Sequence, residues 1–387
     1  MPNRLAFMIS LIFVLGCSND GPKPLFEGKE QKEYEKILAD YESPKYKWGY
    51  LTEDGKLAVE DKYDDLREFN EGLAAMSTGG LWGFIDKFGR VMIPARYRTV
   101  KTYTEEIAVT QDLNGFFHLI KATGEHIGDS LKYDDVSKFQ EGKSVVNRDY
   151  LFGFIDKEGK IAIEPTYESA RAFSNGIAMV QKNEKYGFIN HNNKEILPLK
   201  YDKIWYPVDD MVRFKKDGKY GYINLISKRE VYNGFASATD FQQGRAVIND
   251  GNNFLLLDKK GKKTPLPYSY VDIGGEGKWI YAADTRFGFL NNDGSVLCLP
   301  QYDLLMRYRD GRAGFAINDV WGYLDEAGSI IIPAQYPLVW DFINGYARII
   351  GRYGFGFIDK NGTEVLAPRY MEVRDFSEGL ARIQVYR

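Results

Sequence analysis

The chain has 387 residues and a formal net charge of −3, with 27% charged and 44% hydrophobic residues. That length admits two or three ordinary domains or one repetitive one, and the charge balance excludes a global attraction to nucleic acid or anionic lipid. Aromatic content of 15% and 39 glycines against 3 histidines lean toward β-structure. Tyr and Phe suit pleated, half-buried surfaces, and Gly supplies the positive φ of tight turns.

The N-terminus reads MPNRLAFMISLIFVLGCSND, with Arg4 ahead of an apolar run from Leu5 to Leu15. Such a run makes about 16 Å of helix, roughly half a bilayer core, so residues 1–16 read as a signal peptide and not a membrane span. Val14-Leu15-Gly16-Cys17 resembles the lipobox of bacterial lipoproteins. The resemblance implies that Cys17 becomes the first mature residue and carries a lipid anchor; the alternative is a plain secretory signal with a chance cysteine. Residues 17–28 then form a polar tether. Over 29–42, Tyr34, Ile37, Leu38 and Tyr41 follow i, i+3, i+4, i+7, which predicts one amphipathic helix. Repeat arrays need their first unit covered, so this helix is expected to act as an N-terminal cap. The other cysteine, Cys298, reads as a small buried hydrophobe, and no disulfide framework is expected.

From residue 46 to 387 the sequence repeats. LWGFIDKFGRVMIP at 81–94 and LFGFIDKEGKIAIEP at 151–165 are two of ten copies. Their pivots are Gly49, Gly83, His118, Gly153, Gly187, Gly221, Leu255, Gly288, Gly322 and Gly356, spaced by 33 to 35 residues. An aromatic precedes every pivot, and Ile or Leu follows two residues later. A turn such as D-K-F-G or N-N-D-G comes next, suited to a hairpin because Asp or Asn bonds the backbone and Gly takes the left-handed position. A β-branched run, usually stopped by proline, leads to a tyrosine 14 or 15 residues past the pivot in nine copies, with Phe235 in the sixth. The copy closes on F-x-x-G-x-A, as in FSEGLARI at 376–383.

This grammar resembles the WG-repeat family, named for its Trp–Gly pair. The resemblance implies a bacterial β-repeat protein and carries over no catalytic residues. Phe or Tyr replaces Trp in seven copies, and His118 and Leu255 replace the glycine, so those two copies are expected to build distorted hairpins. The predicted fold is all-β: a tandem array of about ten three-strand units, solenoid-like, with a closed propeller-like ring as the alternative. Propeller blades ordinarily need four strands and about 40 residues, which favours the solenoid. Each pre-pivot aromatic is expected to be largely buried between copies.

No enzyme is expected. His118, His126 and His191 show no metal-ligand spacing, and phosphate-loop and G-x-S-x-G patterns are missing from the sequence. Acidic pairs such as Asp64-Asp65 and Asp134-Asp135 recur at one repeat position and read as solvated turns. Catalytic residues, a bound metal and a cofactor are therefore not expected.

Seventeen residues past the pivot (eighteen in copies three and seven) every copy has an apolar residue, from Leu66 to Val373, with Ile273 in the seventh. The next residue points the other way in an extended chain. There Arg67, Lys101, Arg171, Trp205, Trp340 and Arg374 make a basic and aromatic stripe, a candidate binding surface because Arg and Trp are common interface anchors. The bland reading is that Arg and Lys stems cover apolar neighbours. Trp279, in the irregular seventh copy, is a secondary candidate, with a decayed repeat as its bland reading. The expected function is a non-catalytic binding or scaffold module at the cell envelope, lipid-anchored in the outer membrane of a Gram-negative bacterium. Its expected partner is an envelope protein, or alternatively a glycan. Nucleic acid is not expected, and the oligomeric state stays open.

Overall fold

The computed structural model describes residues 29–42 and 45–386. The expectations for Cys17, the signal peptide and the tether lie outside the described residues. One α-helix, Lys29–Asp40, precedes ten four-stranded antiparallel sheets. In the first blade the strands are Asp65–Leu66, Leu73–Thr78, Leu81–Asp86 and Val91–Tyr97, joined in chain order. Eight further blades follow the same order. The tenth is shared: its inner strands Glu372–Val373 and Leu380–Tyr386 come from the C-terminus, its outer strands Tyr46–Thr52 and Leu57–Tyr63 from the N-terminus. Seven consecutive pairs, from Tyr46↔Tyr386 to Thr52↔Leu380, zip the two ends together.

The ring therefore prevails over the solenoid, and four strands over three. The strand that sequence reasoning lacked is only two residues long in eight of the ten blades, too short to show alternation. Its brevity lets a four-stranded blade fit into about 34 residues. A closed ring has no terminal unit to cover. The helix lies instead on the turns of the first two blades: Ile37 packs with Leu81, Ala95 and Leu113, and Glu33 pairs with Arg98 at 2.9 Å.

Each pivot glycine faces a bulge in the fourth strand. Trp82 pairs with Tyr97 and Phe84 with Ile93, so three residues of one strand oppose one of the other. A Cβ on Gly83 would collide with the Ile93 carbonyl oxygen and stand 2.7 Å from the Ala95 nitrogen. The two copies without glycine solve this differently. At His118 the bulge persists but is built on Gly128, with φ of 66°. At Leu255 the bulge is gone, and Phe254 to Leu257 pair regularly with Leu266 to Lys263. The seventh copy is offset in consequence. Val271, paired with Tyr281, takes the buried position expected of Ile273.

Ten hydrophobic clusters each join two neighbouring blades. The fully buried aromatic is the one after the pivot: Phe84, Phe154, Phe188, Tyr222 and Phe289 among others. The aromatics before the pivot are mostly half-buried, with only Trp48 and Phe117 below the surface, contrary to expectation. They sit at one end of the blade opposite the tyrosine, where the interface opens to solvent.

Trp279 is also corrected. It is fully buried, packed with Val271, Tyr281 and Leu290 against Val247, Leu256 and Leu266 of the preceding blade. In this blade Gly274 stands where the F-x-x-G aromatic belongs and Leu256 faces it in place of a ring. The indole supplies the missing volume.

Polar staples supplement the cores. The F-x-x-G hairpin turns through two left-handed residues, such as Glu71 (φ 52°) and Gly72 (φ 79°), the geometry of a type I′ turn. The acidic residue of the pair reaches the turn of the next blade and accepts hydrogen bonds from its amides at seven interfaces. Glu105 binds the Gly142 amide at 2.9 Å and the Lys157 ammonium at 3.2 Å. Asp310 binds the Gly345 amide at 2.6 Å and Lys360 at 2.5 Å. Burial pushes both carboxyls up, but these donors outweigh it and hold both below the ordinary range. A depressed folded-state pKa adds stability that is complete above the unfolded value near 4 and is lost as pH falls through the folded value. Thermal stability should thus drop on acidification below about pH 4. Glu105→Gln with Asp310→Asn should flatten that acid limb in a melting-temperature series.

Candidate binding surface at the inner blade edges

The two-residue first strands form the edge where blades converge, since side chains beside them reach the neighbouring blade directly. The stripe residue follows this strand and stays extended; the Arg67 amide donates to the Ala75 carbonyl at 2.9 Å. Its side chain therefore points away from the cluster that buries Leu66.

The stripe is distributed around the ring. Arg67 and Arg374, in adjacent blades, line one shallow depression of ≈ 500 Å³ with Trp48, Asp65, Glu68 and Arg382. Arg67 is exposed and lies over the Trp82 ring at 4.7 Å. Arg374 is exposed and paired with Glu372. Lys101 pairs with Asp135 of the next blade at 3.1 Å. Arg171 is exposed two blades further on. Trp205 and Trp340 are half-buried and lie four blades apart. Between these positions stand Ser137, Thr239, Asp272 and Met306, so the basic and aromatic character is interrupted.

Sequence reasoning missed a second element. Three copies place arginine at the third residue after the hairpin's second left-handed residue (Asp210, Gly345 and Gly379), where the first, third and fourth blades have Ala75, Val145 and Met179. Each arginine lies over a tryptophan and meets an acid of the next blade. Arg213 is 4.0 Å from the Trp205 ring and 2.9 Å from Asp240. Arg348 is 4.9 Å from Trp340 and 2.7 Å from Asp375. Arg382 is 5.6 Å from Trp48 and pairs with Glu68. Arg213 also donates to the Ala238 carbonyl at 2.6 Å. Burial pushes the Asp240 carboxyl up while the Arg213 guanidinium pulls it down, and burial wins. Lining up the ten copies on this hairpin would have exposed these arginines as the odd residues in an apolar column.

The acidic pairs are architectural. Asp64 accepts from the Gly79 amide at 2.8 Å, and Asp134 from the Asp149 amide at 2.7 Å. Burial pushes the Cys298 thiol up, which fits a packing residue better than a nucleophile. His118 bonds Asp112 at 2.9 Å, and its ring lies 4.6 Å from that of His126, tilted by 43°. Among the described residues no group of three or more His, Cys, Asp or Glu could hold a metal ion.

The family described as WG containing repeat matches residues 48–82, 82–115, 152–186, 186–220, 287–321, 321–349 and 355–386. No curated protein matches the chain. Among solved structures, BamB from Moraxella catarrhalis is similar at 9% identity and a TM-score of 0.35, over 83% of this chain and 99% of that one. A eukaryotic initiation factor is similar at 10% identity and a TM-score of 0.46, over 83% and 95%. Hsv2p from Kluyveromyces lactis is similar at 10% identity and a TM-score of 0.32, over 60% and 94%.

Proposed function

The chain belongs to the family of WG-containing repeats, and from that premise we propose that it is an exported, lipid-anchored, ten-bladed platform that binds an envelope protein and performs no catalysis. The observation that carries the binding role is the threefold Trp–Arg–acid arrangement at the inner blade edges. It places the half-buried indoles of Trp205 and Trp340, the buried indole of Trp48 and three preorganised guanidinia on a rigid frame, and Trp and Arg held in this way make interface anchors. Lipobox-like Val14 to Cys17 supports the anchor, and the ordinary packing roles of Cys298 and the acidic pairs support a non-catalytic reading.

A glycan is the weaker ligand. Stacking on sugar needs an open aromatic face, whereas Arg213 covers Trp205, Arg348 covers Trp340 and Trp279 is buried.

The test is capture of partners from envelope extracts by the intact protein and by Arg67→Glu with Arg171→Glu. Both arginines are exposed and form no ion pair with another described residue; the variant gives up only the Arg67 contact over the exposed side of the Trp82 ring, so it should melt within a few degrees of the parent. Association with the captured partner should slow several-fold, and its salt dependence should weaken. Unchanged capture and kinetics would move the binding surface elsewhere. Separately, Cys17→Ser should shift the protein from the membrane to the soluble exported fraction; unchanged partition would defeat the anchor.

A further inference from the structure

Strands alternate in direction, so the turns between second and third strands and the linkers between blades share one face of the ring. The F-x-x-G and D-K-x-G turns share the other. The helix Lys29–Asp40 lies on the first of these faces, against Gly80, Leu81 and Leu113.

On that face the opening residue of the first strand is polar or charged from Asp65 in the first blade to Ser237 in the sixth. It then becomes Tyr270, Leu304 and Leu338 in the next three blades, all exposed. The same sector carries Tyr353 at 74% exposure in a turn tip, Met371 in a linker and Tyr386 at 66% exposure beside the seam. Three consecutive blades thus present a large apolar side chain at the equivalent position, and the tenth adds Met371 and Tyr386 on the same face. Isolated exposed apolar residues need no explanation, but a contiguous set marks an interaction site.

We propose that this face docks on a lipid bilayer surface. Equivalent positions in a ring define a plane, and a membrane is a flat partner. Tyrosine is a preferred residue at the boundary between headgroups and hydrocarbon. The chain's own N-terminal segment leads to this face: residues 1–28 contain the apolar run Leu5–Leu15 and Cys17, and continue into the helix lying on it. Eleven residues lie between Cys17 and Lys29, so the two are at most about 40 Å apart when the chain is extended. An acyl chain at Cys17 would hold the face within reach of the bilayer. The proposal rests on the lipid-anchored reading, and its consequence is that the opposite face is left free for partners.

Hydroxyl-radical footprinting of the full chain, with and without phosphatidylethanolamine–phosphatidylglycerol vesicles, tests it. Oxidation at Tyr353, Met371 and Tyr386 should fall several-fold on vesicles, while Phe88 and Met92, exposed on the opposite side of the strands, should be unchanged. The same mass spectra report whether Cys17 is acylated. Acylated Cys17 with unprotected Tyr353 overturns the docking face alone. Protected Tyr353 with unmodified Cys17 upholds the face and overturns the anchor. Failure to associate with vesicles overturns the face. Protection that develops with protein concentration in the absence of vesicles overturns it too, in favour of a second copy of the chain.

Discussion

Removing residues 372–387 should abolish folding of the entire ring and not merely fray its last unit. Those residues supply the inner strands of the shared blade. Without them Trp48, Tyr50 and Leu51 lose their strand partners, and the clusters on both sides of the seam lose Leu380, Ala381 and Ile383. Losing several fully buried side chains costs roughly 2–5 kcal/mol each, comparable in sum to the whole stability of an ordinary domain. The truncated chain should lack a cooperative melting transition and enter aggregates. In an open array the same truncation would remove one nearest-neighbour interface and leave the remaining units folded. Circular dichroism melting of the two chains distinguishes these outcomes.

Gly83→Val should be the most damaging single substitution in the first blade. Even a bare Cβ stands 2.7 Å from the Ala95 nitrogen, and the obstacle is backbone, which cannot rotate aside. Accommodation requires undoing the bulge and with it the Trp82–Tyr97 pairing, at a cost of about 3 kcal/mol or more. Leu255→Val makes the instructive contrast. Its strand pairs without a bulge, so a β-branched residue fits and the loss should stay below about 1.5 kcal/mol. Urea midpoints of the two variants would measure the difference. Equal effects would mean that the bulge does not dictate the glycine.

The periodic features were legible because each position faces the same environment ten times. The pivot glycine, the D-K-x-G turn and the apolar residue of the first strand all emerge from column-wise comparison. Closure was not legible. It depends on Tyr46–Thr52 pairing with Leu380–Tyr386 across the full length of the chain, and neither segment differs from its counterparts inside the array. Burial before and after the pivot was misassigned for a related reason. Trp82 and Phe84 share one face of their strand, and only blade geometry decides which ring lies under the neighbour and which lies at its open end. The seventh copy looked decayed because its losses at Gly274 and Leu256 and its gain at Trp279, although written in one repeat, fall on two neighbouring blades. Only contact across the blade interface shows that they compensate.

The arginines of the candidate surface were hidden by a different effect. Arg213, Arg348 and Arg382 occupy a column that is otherwise apolar and buried, where a charge reads as noise. Their indole and carboxylate partners come from another strand and another blade. The stripe itself was read in the correct register in nine copies, yet its residues fall on blades too far apart to act as one patch.

Closure of the chain on itself joins its two ends in one blade, and averaged electron-microscopic views of the isolated protein test it most directly. The account predicts end-on views of a closed ring with ten evenly spaced lobes, including a tenth lobe indistinguishable from the rest. An open crescent, a rod, or a ring with a gap where Tyr46–Thr52 meets Leu380–Tyr386 would contradict it.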